Sequence, residues 1–183
     1  ARLEGLWGFL WVPGGCVVGV IVLVDLVGSS VCELLACFLC YLSEDSSRVQ
    51  RFTQLTIEAP KKYSIPADAL CLAADVICCL PNLVALRLNL CSSVEPLLAA
   101  ATHNPNKTLR RLELDVLLAE VAIPLRVLLC SPFSLSHFSY RRESVSPAIL
   151  VNLLRAIAEC KTLTSVKLPC RWGESALNNI HSW

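Results

Sequence analysis

The sequence predicts an α/β solenoid: a parallel sheet whose strands follow one another in chain order, each joined to the next by a helix. Three observations predict it. A short apolar pattern returns five times at near-constant spacing. The intervals between copies hold apolar stretches rich in Ala and Leu, of the length a connecting helix needs. The composition, 55% hydrophobic against 17% charged, supplies more core material than an average soluble chain carries.

The best-formed copy is LPNLVALRLNLC, residues 80–91. Here Leu83, Leu86 and Leu88 stand in the order L-x-x-L-x-L, with Cys91 three positions after the last leucine. That is the strand segment of a leucine-rich repeat, where the position after the leucines is usually Asn or Cys. The first clear copy is Phe52-x-x-Leu55-x-Ile57, and Leu109-x-x-Leu112-x-Leu114 is the third. Leu135-x-x-Phe138-x-Tyr140 is a degenerate fourth and Leu163-x-x-Val166-x-Leu168 a fifth. Starting positions are separated by 31, 26, 26 and 28 residues, close to the 20–29 of such repeats. Val18-x-x-Ile21-x-Leu23 is a candidate extra copy, 34 residues before the first. The expected fold is therefore a leucine-rich-repeat solenoid of about five to six repeats, with the parallel sheet on its concave side and helices on its convex side. Residues 1–30 form an apolar amino-terminal segment holding a degenerate first repeat, and residues 31–183 the repeat array.

Each element has a local reason. Residues 17–24 are a β-branched run that reads as a buried strand, after a turn at Pro13-Gly14-Gly15. Residues 31–42 predict a helix, with Ser30 as N-cap and Glu33 completing a Ser-x-x-Glu capping box. The polar run 43–47 ends it. Residues 60–66 form an inserted loop between two prolines, then 68–80 a helix facing the sheet. Residues 97–102 are a shorter helix, with Ser92, Ser93 and Glu95 as start signals. The linker 103–107 is polar and turn-like. Residues 117–130 are ambiguous, because Pro124 should break a helix running through them. In 146–160, Ser146 can cap, Pro147 sits first in the helix, and Ile149, Leu150, Leu153, Leu154 and Ile157 share one face. Residues 173–180 look like the helix of a further repeat.

The charge balance leaves a net +1 with Lys/Arg and Asp/Glu dispersed, so nothing marks a nucleic-acid surface. Eleven cysteines, among them Cys71, Cys78 and Cys79 in a helical stretch and Cys91 and Cys170 after strands, read as small buried hydrophobes. Cys37 and Cys40 have C-x-x-C spacing but no second pair and no nearby His, so no metal is implied. A reducing cytoplasm or nucleus suits this usage. His103, His137 and His181 have no nucleophile or metal-ligand partner at a working spacing, and none of the motifs G-x-S-x-G, H-E-x-x-H or the P-loop is present. No catalytic residue and no cofactor is expected, and the chain does not read as an enzyme.

What the pattern does offer is a display face. Residues between the inward leucines should form a mixed polar surface: Thr56 and Glu58, Arg87 and Asn89, Glu113 and Asp115, Ser139 and Arg141, and Lys167. Thr53 and Gln54 flank them on the first strand. Thr56, Arg87, Glu113, Ser139 and Lys167 should stack across neighbouring strands as one stripe. Mixed charge suits a protein partner.

Residues 33–168 resemble the leucine-rich-repeat region of fungal F-box-type, ribonuclease-inhibitor-like proteins. The segments carrying the likeness are FLCYLSEDSSRVQRFTQLTIE (38–58), CCLPNLVALRL (78–88), NKTLRRLEL (106–114) and ECKTLTSVKL (159–168). The resemblance implies substrate recognition for a ubiquitin ligase, with the ligase adaptor as a partner if an F-box precedes this sequence. None is visible within it. An initial Ala and the absence of Met are expected of a fragment or processed product. Two other readings stand beside the interaction module: a protein anchored in a membrane through residues 6–27, and a truncated product without function. The first requires a spanning helix of about 20 apolar residues, yet the densest run, 16–27, has 12 and contains Asp25.

Overall fold

The computed structural model describes residues 7–11, 17–22, 29–44, 46–59, 65–91, 94–104, 107–116, 123–130, 135–142 and 145–169. They build an α/β fold around one seven-stranded sheet whose strands lie in chain order. Strand β1 (Trp7–Trp11) is antiparallel to β2 (Val17–Val22). From β2 onward every neighbour is parallel: β3 (Phe52–Glu58), β4 (Ala85–Leu90), β5 (Arg111–Val116), β6 (His137–Tyr140) and β7 (Ser165–Lys167). The helices are α1 (Ser29–Ser43), α2 (Ser46–Arg51), α3 (Ala67–Cys79), α4 (Glu95–His103), α5 (Ile123–Cys130) and α6 (Pro147–Glu159).

The apolar triplets decide which strand face is covered. Phe52, Leu55 and Ile57 are buried, as are Leu83, Leu86 and Leu88, then Leu109, Leu112 and Leu114, then Leu135, Phe138 and Tyr140. They join one core with Ala69, Leu70, Ala73, Val76 and Ile77 of α3, Leu97 and Leu98 of α4, Leu125, Leu128 and Leu129 of α5, and Leu150 and Leu153 of α6. The result is two layers, a sheet and a helix row. Burying one Leu side chain contributes about 1.5–3 kcal/mol, so the four covered rungs dominate the apolar driving force. The fifth departs from expectation. Leu163 and Leu168 are only half-buried, and Val166 is 40% exposed. No further rung among the described residues lies beyond β7 to cover them.

Helix starts and stops follow backbone chemistry. Leu80 precedes Pro81, which disfavours helical backbone, and α3 ends there. Ser146 caps α6 as expected, its Oγ accepting from the Ile149 amide at 3.4 Å, with Pro147 first in the helix. Pro124 breaks nothing. It is the second residue of α5, where its missing N–H has no intrahelical partner to lose. Helix α1 begins at Ser29, so Ser30 lies inside its first turn rather than at the cap. The first turn of α4 opens with Glu95 and Pro96 after Val94, with no side-chain cap. The expected start signals Ser92 and Ser93, the turn at Pro13-Gly14-Gly15, most of the 60–66 loop and the 173–180 helix lie outside the described residues.

The extra amino-terminal copy is corrected in register. Strand β2 pairs with β3, but Gly19 stands opposite Leu55 and Ile21 opposite Ile57, with an irregularity between Val17 and Val18. Counting from Val18 placed the copy two residues out of register, a slip of one full strand period that an all-apolar run has no polar residue to exclude. The segment 7–11 and 17–22 is strand, and no described helix is long and apolar enough to cross a membrane.

Polar residues lock one rung to the next. The amide of Val84 donates to the Thr53 carbonyl, those of Arg110 and Arg111 to Val84, those of Ser136 and His137 to Arg110, and those of Thr164 and Ser165 to Ser136. Beside this backbone ladder runs a side-chain one. Asn82 donates to Gln50 O at 2.8 Å, Thr108 to Leu83 O at 2.8 Å, and Thr162 to Leu135 O at 2.9 Å. Each donor immediately precedes the first apolar residue of its triplet. In the 103–107 segment, Asn104 is a buried polar residue whose Nδ2 donates to Ile77 O at 3.1 Å and Leu80 O at 2.9 Å, satisfying carbonyls at the end of α3. Both carbonyls also accept backbone amides, Ile77 O from Leu80 and Leu80 O from Leu83, so removing Asn104 withdraws one buried bond from each. Asn104→Ala should therefore lower the unfolding free energy by about 2 kcal/mol or more, whereas exposed Asn82→Ala should cost under about 1 kcal/mol. Urea denaturation of both variants measures the contrast, and equal costs would contradict it. Leu112→Ala, in a fully buried site, should cost about 2–5 kcal/mol by the same measurement.

Candidate functional site: the outer strand face

Alternation along each strand leaves every second residue on the face opposite the helices. Pairing then lines these residues up. Thr56 stands opposite Arg87, Arg87 opposite Glu113, Glu113 opposite Ser139 and Ser139 opposite Lys167. A second row holds Glu58 opposite Asn89 and Asn89 opposite Asp115. Arg141 follows the end of β6. The nine expected display residues thus share one surface. Thr56, Glu58, Arg87, Asn89, Glu113, Asp115 and Ser139 are half-buried among their neighbours, while Arg141 and Lys167 are exposed.

Two diagonal ion pairs cross this surface. Arg87 reaches Glu58 at 3.3 Å, and Arg141 donates to Glu113 Oε2 at 2.9 Å. Both pairs are substantially exposed, so each stabilises by about 0.2–1 kcal/mol at most. Their larger consequence is electrostatic, since four of the nine residues neutralise one another. Lys167, at the last described strand, has no such partner among the described residues.

Three residues outside the nine expected ones complete this face, among them His137, which reads from the sequence as a surface or concave-face histidine. Arg111, His137 and Ser165 form a row of their own, opposite one another on β5, β6 and β7. Together with Glu113, Ser139, Arg141 and Lys167 they line an open depression of about 110 Å3. Period-two counting backwards from Glu113, Ser139 and Lys167 points to all three. The His137 ring nitrogen Nδ1 lies 2.8 Å from Ser136 Oγ. His103 is the exposed last residue of α4, and His181 lies outside the described residues.

Comparison with protein-family models, curated proteins and solved structures finds no match to this chain. The chemistry of the face must be read from its own residues.

The cysteines depart from expectation. Cys71, Cys78 and Cys79 are exposed on α3, as are Cys37 and Cys40 on α1 and Cys130 on α5. Cys91 is half-buried rather than buried, with Arg142 Nη1 4.0 Å from its sulfur, and only Cys160 of the described cysteines is buried. The reason is helical phase. In α3 the inward positions are filled by Ala69, Leu70, Ala73, Val76 and Ile77, so the cysteines between them fall outside. Partial desolvation, followed by the charge of Asp75, raises the Cys78 thiol above its ordinary value. Desolvation and the bond to Glu159 do the same for Cys130. Cys170 lies outside the described residues. No group of three or more His, Cys, Asp or Glu side chains that could hold a metal lies together among the described residues.

Among the described residues, Tyr140 places a phenol in the core of the strands. Its side chain is buried and donates to Val116 O at 2.9 Å. Burial pushes its pKa from 10 up to about 12, with Arg142 opposing and Asp115 reinforcing the shift. Because the folded pKa is the higher, the stabilisation is complete below pH 10 and is lost as pH rises from 10 towards 12. That difference corresponds to roughly 2–3 kcal/mol. Thermal unfolding across this range should show an alkaline loss of stability that Tyr140→Phe reduces. A wild-type curve and a variant curve that fall in parallel would refute the assignment.

Proposed function

We propose that the chain is a non-enzymatic protein-interaction module, built as a leucine-rich-repeat solenoid and docking its partner on the concave outer face of the sheet. The observation that carries this reading is the in-register stripe Thr56, Arg87, Glu113, Ser139 and Lys167. It spans five adjacent strands, about 19 Å from first to last at the usual strand spacing. A surface of that length, polar and mixed in charge over a rigid sheet, is suited to another protein's surface. The pairs Arg87–Glu58 and Arg141–Glu113 set opposite charges side by side without a net field. Polar groups of both signs favour register and selectivity over raw affinity. The repeating lateral hydrogen bonds and the 26–31-residue spacing of the triplets support the repeat reading. The narrower role, substrate recognition for an F-box-type ubiquitin ligase, rests on sequence resemblance alone.

Reversing both signs on the central strands tests the docking face. Affinity capture with the wild-type chain and with Arg87→Glu/Glu113→Arg, compared by quantitative mass spectrometry, should show at least one protein reduced about tenfold or more in the variant. Arg126→Gln/Glu159→Gln removes an ion pair from the helix layer and should leave that protein bound. Recovery of the same proteins with all three chains, each with unchanged circular dichroism, would refute the proposed face.

A further inference from the structure

The two ends of the outer face differ in charge balance, and the difference names a partner chemistry. Towards β3 and β4, the cation Arg87 is matched by Glu58 at 3.3 Å. Towards β5–β7 the balance fails. The depression there is lined by three fixed cations, Arg111, Arg141 and Lys167, against the single carboxylate Glu113. Arg141 already holds that carboxylate at 2.9 Å, which leaves Arg111 and Lys167 without an ion pair among the described residues. Both are exposed. Asp115, the other carboxylate on the outer side of β5, stands opposite Asn89 and is not part of the depression's lining.

We infer that this end of the face takes an acidic segment of the partner protein, an extended run bearing Asp or Glu side chains. The inference rests on the interaction-module reading and gives it a ligand class. Register sets the scale. Arg111 and Lys167 lie two strands apart and one two-residue step along, so their backbones are about 12 Å apart at ordinary sheet dimensions. Neighbouring same-side residues of an extended chain are about 7 Å apart, so a few alternating carboxylates span the two cations. The bond between Arg141 and Glu113 shows the local geometry accepting a carboxylate, and Arg111 offers a second guanidinium fork to one supplied from outside. Ser139 and Ser165, also in the lining, add neutral hydroxyl donors. The open depression, at about 110 Å3, accommodates a side-chain head group and is well below the 300–1,000 Å3 of small-molecule pockets.

The experiment uses the full chain and a fluorescein-labelled octaglutamate peptide followed by anisotropy, with octaglutamine as its uncharged control. Octaglutamate should bind, weaken as NaCl rises from about 50 to about 200 mM, and exceed octaglutamine by about tenfold or more. Arg111→Gln/Lys167→Gln should abolish about tenfold of that affinity, whereas Arg155→Gln, which removes an exposed cation from α6, should change it by less than about twofold. Equal binding of the two peptides, or a double variant that binds like the wild type, would overturn the inference. So would displacement of octaglutamate by an equimolar amount of inorganic phosphate, which would mark a single-anion site. Loss of the partner on reversing Arg87 and Glu113, in a chain that ignores octaglutamate, would defeat the acidic-segment inference and leave the docking face standing. Failure of both would defeat the module itself.

Discussion

Lateral stacking of apolar rungs is the constraint on which the rest of the molecule depends. No strand of six residues with one helix behind it can bury its own apolar triplet, so each is covered by the rung beside it. Register makes the covering continuous. Leu55, Leu86, Leu112 and Phe138 form one row across four strands, and Ile57, Leu88, Leu114 and Tyr140 form the next. Slipping one strand by one residue would turn its whole apolar set to the outer face. The outer rows are therefore not independently organised. Thr56, Arg87, Glu113, Ser139 and Lys167 are aligned because the residues on either side of them must be.

Hydrogen bonds reinforce the same spacing from outside the core. A parallel ladder gives evenly spaced but slanted bonds, and here it is extended beyond the strands by the bonds into Thr53, Val84, Arg110 and Ser136. Asn82, Thr108 and Thr162 then tie the entrance of each rung to the one before it. The acceptors of Thr108 and Thr162 are part-buried, while that of Asn82 is exposed, so the three ties differ in what their loss would cost. The half-buried fifth rung shows the converse: with no covering rung described beyond β7, Val166 keeps much of its surface in solvent.

The proposed docking role rests on what this arrangement displays. The outer face combines the regular strand spacing with side chains of both signs, the combination by which electrostatic match would select a partner. Its two ends are unequal because rung-to-rung pairing is diagonal. Each Arg–Glu pair uses one residue from either row, so a rung with an extra cation in a neighbouring position, such as Arg111 on β5, leaves charge unspent. The helix layer carries its own polar seam, Arg126 with Glu159 at 3.0 Å, which joins α5 to α6 and contributes nothing to the display face.

Much of the sheet was legible in the amino-acid sequence, and for a definite reason. Three apolar residues in the spacing L-x-x-L-x-L set strand position, inward phase and, through their recurrence, parallel order, so Thr56 through Lys167 could be aligned by counting. Ser146 and Pro147 announced α6 through local chemistry that needs no neighbours. Counting failed where nothing fixed the register, as at Val18 in a run without polar residues, and where a helix offers two apolar faces, as at Cys71, Cys78 and Cys79. Only the tertiary structure decided which α3 face met the sheet, because that depends on which side chains fit against α4 and the strands. It alone also decided that Glu58 and Glu113 would be claimed by Arg87 and Arg141 while Arg111 and Lys167 would not. Ion pairing depends on distances across strands that lie 26–31 residues apart in the chain, and those distances exist only once the rungs are stacked.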